Sequence, residues 1–391
     1  MTHSYICAIG TATPATRIPQ MQIADFMAEA LEMDEAEKRK LKVLYRVSGI
    51  DYRHTVIPDF ARQNGSFTFF PNTPGLEPFP TVQQRMEIYR KEALPLSVAA
   101  VKDCLQQTEA ATDSITHLIT VSCTGMYAPG LDIELVETLG LPTTTQRTSV
   151  NFMGCYAAFN ALKLADAICR ADGDAKVLVV CTELCTTHFQ KRHEQDHLLS
   201  NALFSDGAAA VLLQAQPQGT ACLRLDRFYC DLISQGKQEM AWHIGDLGFE
   251  MTLSSYVPGL IQQGIGRLTD NLLQQLQLSF SDVNLFAIHP GGRRILEAIE
   301  KELGLTKEHN KHAYNVLKNY GNMSSVTVLF VLKSLLEDLK PEQHEAPVIS
   351  CAFGPGLTLE SMLLQVHYAD ANKVSVTSEA AEKLNLQVSE N

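Results

Sequence analysis

An internal repeat of element types constrains the fold most. ITHLITVSC at Ile115–Cys123 is a short β-branched apolar run, the pattern of a strand buried on both faces. VNLFAIHP at Val283–Pro290 is a similar run. After the first, CYAAFNALKLADAICRA from Cys155 reads as a helix. After the second, MSSVTVLFVLKSLLEDL from Met323 contains another. The first helix leads to KVLVVCTE (Lys176–Glu183) and GAAAVLLQ (Gly207–Gln214). The second leads to APVISCAF (Ala346–Phe353) and LESMLLQV (Leu359–Val366). Strand, helix, strand, strand thus occurs twice in one order. Both helices are apolar nearly all round, so both need cover on two sides. The expected class is α/β, with two halves of related design stacked around helices buried between their sheets. The first half would span residues 1–218 and the second 219–371. The polar stretch 372–391 reads as a loosely attached tail.

The repeat also locates chemistry. Ligand sites in α/β folds lie at the carboxyl ends of strands and the amino ends of helices. Cys155 stands at the start of the first repeated helix. Asn322, in NYGNMSS, stands at the start of the second, and His289, in IHPGG, closes the strand before it. A helix amino terminus and a neighbouring imidazole both favour thiolate, the nucleophilic form. A small core thiol and a satisfied buried histidine are the plainer reading of each residue alone. Glycines beside all three, which let a backbone or ligand approach closely, favour the site.

Composition narrows the partners. Lys and Arg number 32 against 44 Asp and Glu, a net charge of −12. That disfavours nucleic acid or an anionic membrane as main partner. It leaves room for an anionic small substrate held by local patches such as KRKLK at Lys38–Lys42 or GGRR at Gly291–Arg294. The ten cysteines are scattered, with no C-x-x-C and no metal-ligand spacing to a histidine pair. No signal-peptide pattern opens the chain, and no run of about 18 apolar residues would span a membrane. A cytoplasmic protein with free thiols and no metal is expected.

The residues then become recognisable. Gly154–Cys155, ALFSDGAAA at Ala202–Ala210, GFEM and VPG between Gly248 and Gly259, HPGG at His289–Gly292, YGNMSS at Tyr320–Ser325 and AFGPG at Ala352–Gly356 follow one another in this order. From about Ser4 to about His367 the chain resembles type III polyketide synthases, the chalcone synthase-like branch of the thiolase superfamily. The resemblance implies a duplicated, thiolase-like five-layer αβαβα fold and a homodimer. It implies a triad of Cys155, His289 and Asn322 that needs no cofactor and works on CoA thioesters. Cys155 would take an acyl group from a starter acyl-CoA, and the other two would hold the enolate left when malonyl-CoA loses carbon dioxide.

The resemblance also marks a pocket with a bacterial-type character. Phe204 matches the aromatic beside the cysteine, and Met251 stands where plant enzymes carry a second gatekeeping phenylalanine. Trp242 replaces a glycine of the cyclisation cavity, Cys185 and His188 replace two threonines, and Cys123 replaces a third. Ala128, in MYAPG, replaces a methionine on the loop that the family dimer lends to its partner's pocket. Ser324, Phe353 and Gly354 fall within the pocket motifs. Lys40, Arg46, Gly291 and Arg294 are the candidate CoA contacts, although KRKLK reads equally as a solvated face. Trp242 would fill part of a wide cavity while Met251, Ala128 and Cys123 open a narrow apolar path. A fatty acyl starter and an alkylpyrone or alkylresorcinol product are therefore expected. An aromatic or short acyl starter is the alternative. An initiating ketoacyl-carrier-protein synthase and a cysteine hydrolase remain as other classes, although a hydrolase leaves the repeat unexplained.

Overall fold

The structure is a computed structural model and describes residues 3–369; the expected tail at 372–391 lies outside the described residues. The chain opens with β1 (Ser4–Ala12), β2 (Thr16–Pro19), α1 (Gln20–Ala30), α2 (Glu35–Val47), β3 (Tyr52–Thr55) and α3 (Val82–Leu105). It continues through β4 (His117–Ser122), α4 (Leu131–Leu139), β5 (Gln146–Asn151), α5 (Ala157–Ala171), β6 (Lys176–Leu184), α6 (Gln195–Leu203) and β7 (Asp206–Gln214). Then come β8 (Ala221–Leu232), β9 (Met240–Gly245), β10 (Gly248–Leu253), α7 (Val257–Gln274), β11 (Leu285–Ile288) and α8 (Arg293–Leu303). α9 (Lys311–Tyr320), α10 (Thr327–Asp338), β12 (Pro347–Gly354) and β13 (Thr358–Tyr368) complete it.

The repeat seen in sequence is a repeat of strand pairing. In the first half β4 runs parallel to β6, β6 antiparallel to β7, and β7 antiparallel to β1. In the second half β11 runs parallel to β12, β12 antiparallel to β13, and β13 antiparallel to β8. β5 extends the first half alone, parallel to β4. The halves stack as the sequence suggested, but they are also joined. They meet edge to edge where β1 pairs antiparallel with β8, Ser4 opposite Leu225 and Ile6 opposite Leu223, giving one nine-stranded sheet. Joining the two edge strands satisfies peptide groups that each half would otherwise leave open.

The layers follow from which faces are apolar. α5 packs on β4, β6 and β7 and also touches β13; α10 packs on β11 and β8 and also touches β1. The two repeated helices therefore lie between the halves of the sheet, and their all-round apolar surfaces are covered from both sides. α3 and α4 cover the outer face of the first half. α7, with α8 behind it, covers that of the second. This is the αβαβα arrangement.

A smaller unit sits beside the layers. α1 and α2 pack together, with Asp34 capping α2 and Glu37 returning the hydrogen bond. Around α1, Phe26, Phe60, Phe70, Phe79 and Phe189 form an aromatic cluster with ring centroids 4.9–6.2 Å apart, mostly edge to face.

Candidate active site

Cys155 lies two residues ahead of α5, and glycine brings the second half of the chain up to it. Gly154 has φ +81°, and a Cβ there would stand 2.4 Å from Pro355. A Cβ on Gly354 would stand 2.5 Å from the Tyr156 ring and 3.3 Å from the Cys155 nitrogen. The Gly154–Cys155 and Gly354–Pro355 motifs thus explain each other, since two backbones meet there with no room for a side chain. Cys123, at the end of β4, seats this turn: its sulfur accepts a hydrogen bond from the Gly154 N–H at 3.0 Å.

Asn322 is held by main chain and side chain alike. Its N–H donates to the Leu203 carbonyl, and its own carbonyl accepts from Ser205 N–H, both at 2.9 Å. Its Oδ1 accepts from Ser324 N–H at 2.9 Å, while Nδ2 donates one proton to the Gly291 carbonyl at 3.1 Å. The amide is thereby oriented, with a second N–H proton to spare. Asn322 and Ser324 both lie close enough to the Cys155 sulfur for their side chains to lower its pKa. His289 follows β11, its N–H donating to Cys351 at 2.8 Å. Its ring is buried and neither nitrogen has a partner among the described residues. Gly291 lies against that ring, 3.5 Å from Nε2 measured at the position of a Cβ. Cys155, Asn322, Gly291 and His289 so form one connected cluster.

Electrostatics corrects one expectation. The helix terminus and imidazole were expected to make Cys155 a thiolate. Burial pushes the thiol up to about 12, against the lowering effect of Ser324 and Asn322. Burial also pushes His289 down to about 3. Burial thus disfavours the charged form of each side chain.

Glu183, buried at the end of β6, was not foreseen. One carboxylate oxygen accepts from Cys123 N–H at 2.9 Å and from the Thr124 hydroxyl at 2.8 Å; the other accepts from the Ser325 hydroxyl at 2.7 Å. It ties the end of β4 to the turn after Asn322. Burial raises its pKa, and these hydrogen bonds oppose the rise. Its signal in the sequence was a charge closing an apolar strand, KVLVVCTE.

Beside the cluster is a mostly apolar cavity of about 40 Å³, lined at one end by Cys185, His188, Phe204, Trp242, Phe249 and Met251. Cys185 is close enough to Cys155 for the two to interact electrostatically. Trp242 and Met251 face each other across the β9–β10 hairpin. The indole N–H donates to the Cys123 carbonyl at 2.7 Å, so Trp242 is both a structural tie and a wall. His188 is a fixed neutral wall. Its Nδ1 accepts from Phe249 N–H at 3.0 Å, which puts the proton on Nε2 to donate to the Thr124 carbonyl at 2.6 Å. Its ring stacks on Phe249 at 4.1 Å, and burial pushes its pKa down to about 3. Of the narrow path expected along Met251, Ala128 and Cys123, only Met251 lines this chain's own cavity. Cys123 turns its sulfur to Gly154, Ala128 is exposed on the loop before α4, and neither lines the cavity.

A second apolar cavity, about 220 Å³, lies on the other side of Leu203–Phe204. Gly291 and Arg294 line it with Leu44, Val47, Leu203 and Pro258. Lys40 and Arg46 do not: they are exposed on α2, which offers Leu44 and Val47 to this mouth instead. Phe353 is buried on β12 and positions Gly354 without lining either cavity.

Residues 2–217 match the family of chalcone and stilbene synthases, N-terminal domain, and residues 225–367 match the C-terminal domain of the same family. The chain belongs to this family and is a type III polyketide synthase. Among its relatives, the alpha-pyrone synthesis polyketide synthase-like Pks18 of Mycobacterium tuberculosis is 31% identical over 371 residues, 93% of this chain and 92% of that one. The putative chalcone synthase of Bacillus subtilis is 30% identical over 373 residues, 92% of this chain and 98% of the other. The C-terminal type III polyketide synthase domain of Steely1, a type I/III hybrid from Dictyostelium, superposes with a TM-score of 0.85 at 29% identity, covering 93% and 99% of the two chains. PKS-I of the brown alga Ectocarpus siliculosus gives 0.85 at 29%, covering 93% and 98%. Among the described residues no helix is long and apolar enough to cross a membrane.

Proposed function

We propose that Cys155 takes a fatty acyl group from an acyl-CoA, that malonyl-CoA units extend it, and that the chain closes to an alkylpyrone or alkylresorcinol. The supporting observation is the Asn322 amide, whose oxygen is occupied by Ser324 N–H so that a free N–H is left beside the Cys155 sulfur and the unpartnered His289 ring. That is one nucleophile and two donors in a dry corner. His289 takes the thiol proton as sulfur bonds to the thioester carbon, and the departing CoA sulfur takes that proton up. The C–C bond of malonyl-CoA then breaks, carbon dioxide leaves, and His289 and Asn322 hold the enolate oxygen. The enolate carbon attacks the acyl-cysteine and releases the Cys155 sulfur. No cofactor enters these steps.

The mouth lined by Gly291 and Arg294 suits the CoA arm. Lys40 and Arg46 lie on the helix bordering it and are the proposed partners of the CoA diphosphate. The homodimer and a cytoplasmic setting belong to the same reading. A fatty starter is supported by the apolar walls of Phe204, Met251, Trp242 and Phe249, since each buried methylene contributes about 0.8 kcal/mol. The alpha-pyrone in the name of Pks18 agrees with a lactone product.

Steady-state kcat/KM over a series of saturated acyl-CoAs and p-coumaroyl-CoA tests the starter. A rise with chain length to a maximum above the aromatic substrate is expected. Trp242→Gly should open the cavity and move products toward further extension or aromatic starters. A flat series, or preference for the aromatic thioester, would sink the fatty starter.

A further inference from the structure

The cavity beside Cys155 does not end at the pocket positions shared with the resemblance. Its lining passes beneath Cys185 and Thr186 to Ile23 and Met27 on α1 and to Phe60 and Phe189. Those four residues are buried and belong to a core cluster separate from the one that holds Cys155. The cavity thus joins the catalytic layers to the α1 unit; Arg53, Thr55, Gln190 and Asn201 also line it, while Ile23, Met27, Phe60 and Phe189 form its apolar wall there.

Its far walls differ in stiffness. Phe60 and Phe189 are locked edge to face, 6.0 Å apart, and each also packs on Phe26. Ile23 and Met27 sit four residues apart on one face of α1. Met27 alone is unbranched and adaptable, with three rotatable bonds. At about 40 Å³ the cavity has room for only a few waters, so a long alkyl chain enters only as side chains give way. The residue that can give way at the closed end is Met27.

We infer that Met27, backed by Phe60 and Phe189, is the stop that sets the length of alkyl chain the enzyme accepts. This rests on the fatty starter proposed above. The starter's methyl end passes Phe204 and Cys185, turns beneath Thr186 and halts against α1.

The test is the chain-length profile of kcat/KM for the full-length enzyme with Met27→Ala, Met27→Trp and Glu29→Ala. Met27→Ala removes three side-chain atoms and should move the optimum about two to three carbons longer. Met27→Trp should move it shorter and cut kcat/KM for the longest wild-type substrates at least tenfold. Glu29→Ala, exposed on the same helix, should leave the profile in place. Decarboxylation of malonyl-CoA should stay within twofold throughout, which separates a length stop from loss of fold. Should Met27→Ala fold poorly, Met27→Trp and Ile23→Ala still read the effect. A wild-type preference for alkyl chains whose optimum none of these variants moves overturns the stop and spares the fatty starter. A wild-type preference for p-coumaroyl-CoA overturns both.

Discussion

Phe204 and Asn322 form a parallel bridge between the two halves of the chain, with the Asn322 N–H donating to Leu203 and the Asn322 carbonyl accepting from Ser205, each at 2.9 Å. Leu203 lines the larger cavity and Phe204 the smaller one. The bridge therefore fixes Asn322 beside the Leu203–Phe204 wall that separates the two cavities. The proposed chemistry depends on that placement, because in it Asn322 serves both acyl transfer and decarboxylation while Cys155 serves only the first.

Cys155→Ala should abolish chain extension and leave malonyl-CoA decarboxylation measurable. Asn322→Ala or His289→Ala should depress both, by roughly 10²–10³ in kcat for each donor lost. Release of labelled carbon dioxide, followed beside product formation, separates the two activities. Polyketide formed by Cys155→Ala would mean that the nucleophile lies elsewhere.

The proton balance of the pair predicts an unusual pH dependence. His289 gains a proton only below about 3, and Cys155 beside a neutral imidazole loses its own only above about 12. In the proposed mechanism the pair holds one proton between those limits, passed from sulfur to ring as the thiolate forms. Inactivation by iodoacetamide, mapped to Cys155, should thus be nearly flat from about pH 6 to 9, where an isolated thiol with pKa near 8.5 rises about tenfold per unit until it titrates. A tenfold rise per unit in the mapped rate would show Cys155 titrating alone.

Gly354→Ala places a methyl group 2.5 Å from the Tyr156 ring and 3.3 Å from the Cys155 nitrogen. The loop has to retreat from the nucleophile. A loss of about 1–3 kcal/mol in urea unfolding is expected, with a large fall in acyl transfer. Gly173→Ala is the control, since a Cβ there meets nothing within 4 Å, and should stay within about 0.5 kcal/mol. Equal behaviour of the two variants would remove the close-approach explanation.

The dimer is open to a direct reading. Ala128 is exposed and does not line this chain's own cavity. Sedimentation at micromolar protein should give twice the 43.2 kDa chain mass. Ala128→Trp should alter the chain-length profile only by way of a partner subunit's pocket. A fully active monomer, or an unchanged profile in a stable dimer, would separate Ala128 from catalysis.

Some of this was legible in the amino-acid sequence because it is written in local pattern. The strand–helix–strand–strand repeat comes from runs of apolar residues, and burial on two sides makes those runs continuous. The motif residues Cys155, His289 and Asn322 fall at element ends, which a chain with the right period exposes without knowledge of its partners. What the sequence alone left undecided depends on groups far apart in the chain. The edge pairing of β1 with β8 joins strands more than 200 residues apart. Glu183 collects donors from residues 123, 124 and 325. The extension of the cavity to Ile23 and Met27 on α1 brings together residues more than 150 positions apart in the chain from Cys185 and Phe204. The protonation of Cys155 also reversed, since helix ends and neighbouring charges can be guessed from sequence whereas desolvation cannot. Local pattern determined which elements form and which residues lie at their ends. Tertiary packing decided the charge states, the hydrogen-bond partners and the direction of the cavity, because each of these is set by what the rest of the chain excludes from water.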